Sequence, residues 1–228
     1  MNIRGRHDAV REESVFPMII DLHVHTKPLS PCSHIDPLEM VAEAKRRGLD
    51  GVCLTEHHAL WGRSELDELA RQSGIRIFTG NEITTDQGDI LVFRYPVHVP
   101  DIIPIAELRR EVLAAGGFMI AAHPFRGFKV FGFGQLRMTP EQAAKRRLFQ
   151  LVDAMEVCNG KLSEEENRMA LEVSKILGLA GTGGSDAHQI DEVGKWVTVF
   201  DRDIRNEQEL VDEIRAGRYT IGAAPAAS

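Results

Sequence analysis

Short apolar runs alternate with helical patterns along most of this chain, and that alternation limits the possible folds more than any single residue does. "MIIDLHV", "GVCLT", "IRIFTGNE", "DILVF", "FMIAAH", "DAMEVCNG" and "LAGTGGSD" read as strands. Between them, "DPLEMVAEAKRRG", "IAELRREVLAAGG", "TPEQAAKRRLFQ", "SEEENRMALEVSKILG" and "NEQELVDEIRAG" read as helices. Their punctuation is explicit: Asp36 stands as N-cap with Pro37 and Glu39 behind it and Gly48 past the end, and Ser163 with Glu166 makes a capping box closed by Gly178. Strands separated by helices predict a mostly parallel sheet covered by helices. A chain of 228 residues suits a single-domain α/β barrel over residues 18–221 better than an open sheet. Residues 1–17, with His7, and 222–228 have weak apolar periodicity and are expected to be mobile ends.

Composition narrows the setting. Hydrophobic residues make up 43% and charged residues 27%, a soluble globular balance. No apolar run approaches the roughly 20 residues that span a bilayer, and the first residues lack the apolar core of a signal peptide, so a cytoplasmic protein is expected. Cys32, Cys53 and Cys158 form no paired motif, and Cys53 and Cys158 sit in strand-like runs as buried thiols. A net charge of -7 with scattered Lys and Arg leaves no footprint for a long nucleic acid, although local cations can bind a small phosphorylated substrate or nucleotide. Oligomeric state leaves no mark in the sequence.

The ends of the apolar runs carry the chemistry. Residues i and i+2 of a strand share a face, so His23 and His25 can aim at one point. The following runs end on Glu56, His57 and His58, on Glu82, on His123, on Asn159, and on Asp186 with His188. Strand C-termini are where βα folds gather their sites. One such residue has an ordinary structural explanation; five strands choosing metal-ligand residues at the same end do not. Converging carboxylates and imidazoles need a cation, because an uncompensated buried charge costs several kcal/mol, roughly. A histidine and carboxylate set without thiolates favours Zn, Mn or Fe, and more than four candidate ligands points to two or three divalent ions.

Taken in order, "DLHVHT", "TEHH", "GNEI", "AAHP" and "GSDAH" resemble the PHP family, the polymerase and histidinol phosphatase domains. The resemblance implies a distorted (β/α)7 TIM-like barrel hydrolysing a phosphoester with a metal-activated water at a di- or trinuclear site. It implies that His23, His25, Glu82 and Asp186 bind one metal, that Glu82 bridges to a second held by His123, and that His57 and His188 serve a third. The pattern departs at "LSPCSH", where His34 or else Cys32 stands in for an expected ligand, and at "QGDILVF", where Asp89 or else His98 does. Asp21 matches the first acid of the pattern and is expected to hold a ligand imidazole, with Asn159 also in support.

The resemblance thus implies that Glu82 and Asp186 carry the catalytic metals, and His58, adjacent to a ligand, is a candidate leaving-group acid. Arg126 and Lys129 in "HPFRGFK" are candidates to bind a phosphoryl oxygen. The loop "RGFKVFGFGQLR" offers a lid of phenylalanines and glycines, or ordinary packing. Two other classes fit part of the pattern: an amidohydrolase-type C–N hydrolase and a non-catalytic metal-stabilised binding module. The closing "GSDAH" and early "TEHH" favour the phosphoesterase.

Overall fold

The structure, a computed structural model, describes residues 17–127 and 138–225. Lys129, most of the candidate lid, His7 and the extreme ends lie outside the described residues. In chain order the elements are β1 (Met18–Val24), α1 (Pro37–Arg46), β2 (Gly51–His57), α2 (Arg63–Ser73), β3 (Arg76–Thr85), β4 (Gly88–Phe93), α3 (Ile105–Ala114), β5 (Phe118–Ala121), α4 (Pro140–Ala143), β6 (Ala154–Asn159), α5 (Glu164–Leu177), β7 (Ala180–Gly184), β8 (Val197–Phe200), α6 (Glu207–Ala216) and β9 (Tyr219–Gly222). They make one α/β unit around a nine-stranded sheet in the order β7-β6-β5-β4-β3-β2-β1-β8-β9.

The sheet is mixed rather than mostly parallel. β1, β2 and β3 run parallel, as do β5, β6 and β7, but β4 is antiparallel to both β3 and β5. Only Asp86 and Gln87 separate β3 from β4, too short a link for a crossover, so the chain must turn back as a hairpin. β8 and β9 add an antiparallel pair beyond β1. The expected helix "TPEQAAKRRLFQ" breaks into α4 and a 3₁₀ turn over Arg147–Gln150.

Alternation along the strands builds two apolar layers. Ile20, Leu22, Cys53, Phe78, Leu91, Phe93, Phe118, Ile120 and Ala154 pack inside the curved sheet, with Leu210, Val211 and Ile214 of α6 against them. Ile83, Ile90, Val92, Met119, Ala121, Met155 and Val157 point outward against α3 and α5. A bulge interrupts the alternation in β1: Asp21 pairs with Val52 but Val24 with Leu54, three residues of β1 against two of β2. Val24 therefore joins the outer layer beneath α1, and His23 is delivered to the inner side.

β7 then backs onto β1 and nearly closes the barrel. Asp186 N donates to His23 O at 2.7 Å and His25 N to Ala187 O at 3.1 Å. Gly184 makes this approach possible, since a Cβ there would lie 2.6 Å from His23 Cβ and 2.9 Å from Glu156 Oε1. Gly184→Ala must push β7 away from β1. Overpacking of this kind costs about 1–3 kcal/mol, so the melting temperature is expected to fall by roughly 2–12 °C. An unchanged melting curve would mean that β7 does not sit this close to β1.

Candidate metal centre

The strand ends converge as the sequence suggests. His23 Nε2 lies 2.9 Å from His25 Nε2, 3.5 Å from Glu82 Oε2 and 3.6 Å from Asp186 Oδ1. His25 Nε2 lies 3.2 Å from Glu82 Oε2 and 3.5 Å from Asp186 Oδ1. On the other oxygen of Glu82, His123 Nε2 stands at 2.8 Å, and His57 Nδ1 is 3.0 Å from Oε2. His188 packs its ring 4.4 Å, centroid to centroid, from that of His25. Among the described residues, three sets of potential ligand atoms each lie within 4.8 Å of one another: His23, His25 and Asp186; His23, Glu82 and His123; His25, His57 and His188. His23 and His25 are each shared between sets.

The donor chemistry fits a cation. Glu82 Oε2 and Asp186 Oδ1 are buried and accept no hydrogen bond from the described residues, although imidazole nitrogens surround them. Zn–ligand bonds of about 2.0–2.1 Å in a tetrahedron put ligand atoms roughly 3.3 Å apart, and the separations of 2.9–3.6 Å around His23 and His25 bracket that value. The ionisation equilibria point the same way. Burial alone would lower the His23 pKa, but Glu156, Asp186 and Glu82 outweigh it and hold it well above the usual histidine value. Burial would likewise raise Glu82 and Asp186, yet the surrounding imidazoles, and Arg126 for Asp186, hold both below the usual carboxylate range. The carboxylates demand positive charge at this point, and a divalent ion supplies it without a proton.

Buried partners orient the rings. His23 Nδ1 lies 2.9 Å from Glu156 Oε1, and a carboxylate there makes Nδ1 the donor and leaves Nε2 for the cluster. The other Glu156 oxygen accepts from His123 N at 2.9 Å and Asn159 Nδ2 at 3.0 Å. Asn159 Nδ2 also reaches Asp186 Oδ2, at 3.4 Å. His188 Nδ1 donates to Asp186 O at 2.9 Å, and burial lowers its pKa. His123 and Asp186 both take positive φ, 27° and 55°, strained for non-glycine residues and common where side chains are aimed at a site.

Other expected residues lie elsewhere. Asp21 holds no imidazole: its carboxylate accepts the N–H groups of Ser185, His23 and Gly194 at 2.9, 3.2 and 2.8 Å. The β1 bulge turns His23 away from the Asp21 face, so Asp21 braces backbone; its burial pushes the pKa up to about 6. Glu156, inside an apolar strand, takes the role expected of Asp21. His58 turns Nδ1 to Val99 O at 2.7 Å and accepts Thr84 N at 3.4 Å on Nε2, so both ring nitrogens are engaged with backbone rather than aimed into the cluster.

His34 and His98 are exposed and belong to none of the three sets. Cys32 is exposed and also belongs to none of the three sets. Asp89 also falls outside the three sets; it lines a cavity of about 210 Å³ with His123, Arg126 and Arg146. Arg126 reaches Asp186 Oδ2 from the loop after β5, its side chain 42% exposed. Cys53 is buried as expected, Cys158 is half-buried, and all three thiols are free. No helix among the described residues is long and apolar enough to cross a membrane.

Fold and site together define an α/β barrel with a candidate carboxylate–imidazole metal centre at its strand ends. The PHP domain model matches residues 21–173, and a model described as PHP-associated matches residues 164–219; the chain belongs to the PHP family. An uncharacterised protein of Methanocaldococcus jannaschii is 29% identical over 117 residues, 47% of this chain and 68% of the relative. A two-domain protein of Bacteroides vulgatus, containing a predicted PHP-like metal-dependent phosphoesterase, superposes with a TM-score of 0.66 at 24% identity. That match covers 93% of this chain, which spans only 66% of the two-domain protein. PsfC of Pseudomonas syringae matches at a TM-score of 0.64 and 20% identity, over 91% of this chain and 92% of its own. Both structures share the barrel fold.

Proposed function

We propose that this chain hydrolyses a phosphoester of a small phosphorylated substrate or nucleotide at a centre of two or three divalent ions, Zn, Mn or Fe. The observation that carries the reading is the convergence of acceptor atoms, with Glu82 Oε2 and Asp186 Oδ1 buried among imidazole nitrogens and accepting no hydrogen bond from the described residues. His23, His25 and Asp186 would hold one ion, Glu82 and His123 would share His23 toward a second, and His57 and His188 would share His25 toward a third. Such ions, when bound, activate a water near neutral pH and offset charge on phosphoryl oxygens. Glu156 and Asn159 keep His23 and Asp186 aimed. The net charge of -7 argues against a long nucleic acid as substrate, and three free thiols suit a cytoplasmic setting.

Arg126 is the group from this chain best placed to meet the substrate. It is half-exposed at the mouth of the centre, and its guanidinium matches phosphate geometry. A charge-assisted hydrogen bond contributes about 1.5–3 kcal/mol, so Arg126→Ala is expected to lower kcat/KM by roughly 10–150-fold with metal content unchanged. Metal loss in that variant would instead make Arg126 a brace for Asp186.

The direct test pairs elemental analysis with hydrolysis of p-nitrophenyl phosphate and bis-p-nitrophenyl phosphate in Mn or Zn. Bound metal with turnover of either ester supports the reading. Ring-amide turnover without phosphoester cleavage would reassign the chain to C–N hydrolysis, and bound metal without any turnover would make it a binding module.

A further inference from the structure

Glu56 is fully buried at the end of β2 and belongs to none of the three ligand sets. It accepts Thr26 N at 3.1 and 2.9 Å on its two oxygens, Thr26 Oγ1 and Trp61 Nε1 (2.9 Å) on Oε1, and Ser30 Oγ on Oε2. Backbone and indole N–H groups can only donate, so Glu56 serves as an acceptor here. Ser30, also fully buried, has one hydroxyl hydrogen, which goes to Glu56. Its oxygen is then left to accept, and two groups stand against it: His57 N at 3.1 Å and His25 Nδ1 at 3.3 Å.

From this proton count we infer that Glu56, acting through Ser30, locks the neutral His25 ring as the Nδ1–H tautomer, so that Nε2 presents its lone pair to the cluster. Glu56 and Ser30 are positioning residues. Nothing in the backbone fixes the ring this way, since the strand has ended at Val24 and His25 lies in the loop that Glu56 gathers through Thr26 and Ser30. Trp61 reads the same carboxylate from the loop after β2.

The isosteric change Glu56→Gln makes a sharp prediction. The Oε1 position faces three donors, so the amide oxygen must take that side and the NH₂ group must face Ser30. Ser30 then accepts from the amide and donates to His25 Nδ1, which moves the ring proton to Nε2, the atom needed by the metal. The consequence for affinity rests on the proposed metal centre, where outer-partner changes of this sort cost about 10–100-fold.

Long-range ¹H–¹⁵N spectra of the chelated, full-length protein, taken where the rings are neutral, report the tautomer directly. His25 signals are identified by their loss in His25→Asn. Wild type is expected to show Nδ1–H, and Glu56→Gln to show Nε2–H with Zn(II) and Mn(II) affinity lowered about 10–100-fold in chelator competition. Should Glu56→Gln not fold, Ser30→Ala removes the acceptor, and a mixture of tautomers is expected. An Nε2–H ring in wild type, or an unchanged tautomer in a folded variant, would overturn the relay. A wild-type Nδ1–H ring in a protein that cleaves no phosphoester would refute the proposed reaction and leave the relay standing.

Discussion

Glu82→Gln is expected to strip the centre of its cations and to lower phosphoester turnover by about a thousandfold or more, which corresponds to roughly 4 kcal/mol of lost transition-state stabilisation. Among the described residues no other carboxylate lies as close to four imidazoles: His123 Nε2 at 2.8 Å, His57 Nδ1 at 3.0 Å, His25 Nε2 at 3.2 Å and His23 Nε2 at 3.5 Å. Glutamine keeps the shape and removes the charge. It also puts an NH₂ group where one oxygen accepted, so a donor faces a position built for a cation. Elemental analysis and p-nitrophenyl phosphate turnover check both halves of the expectation, with far-UV circular dichroism as the control for folding. A folded Glu82→Gln protein that retains the wild-type metal complement would sink the bridging role.

Much of this centre is legible in the sequence because its residues follow apolar strands in a fixed order. His23, His25, Glu82, His123, Asp186 and His188 lie at or just past the end of a run, and that shared position in the βα order is enough to bring them to one end of the barrel. The supporting residues are less visible, for a physical reason. A one-residue bulge in β1 puts Asp21 and His23 on opposite faces, and no periodicity announces a bulge. Asp21 therefore reads as the partner of an imidazole, while the true partner, Glu156, lies 133 positions away on β6. A signal for Glu156 does exist, since an acid inside "DAMEVCNG" must be paired if the strand is buried. Glu56 carries the same signal beside two histidines that draw attention from it.

The fold shows the same division. The parallel pairs follow from the βα punctuation, but the β3–β4 hairpin depends on a two-residue turn between runs that also read as ordinary strands. β8 and β9, four residues each, and α2, with few apolar positions, are too short or too polar for periodicity to register. His58 illustrates a further limit. Adjacency to a ligand in sequence places it near the site, yet its positive φ of 55° turns the ring to backbone partners instead.

Metal loading should change the pH dependence of stability as well as its size. In the metal-free protein, Glu82 and Asp186 have folded pKa values below their unfolded ones, so their contribution is present above pH values of about 4–4.5 and is lost as acid protonates them. His23 has the opposite shift, so its contribution is complete below a pH of about 6.5 and fades as the pH rises through its folded value. These groups together make the chelated protein most stable in the window of roughly pH 4.5–6.5. A divalent ion competes with the proton on His23, so loading strengthens as the pH rises and fails in acid. At a free-metal concentration a thousandfold above Kd the gain is about 4 kcal/mol, or roughly 8–16 °C in melting temperature for a chain of this size. Thermal scans in Mn(II) and in EDTA should therefore diverge toward pH 8 and converge below pH 6, within about a unit. A loading gain that stayed constant across that range would mean that the bound cation does not displace protons from these imidazoles, and that the cluster around Glu82 is not where it binds.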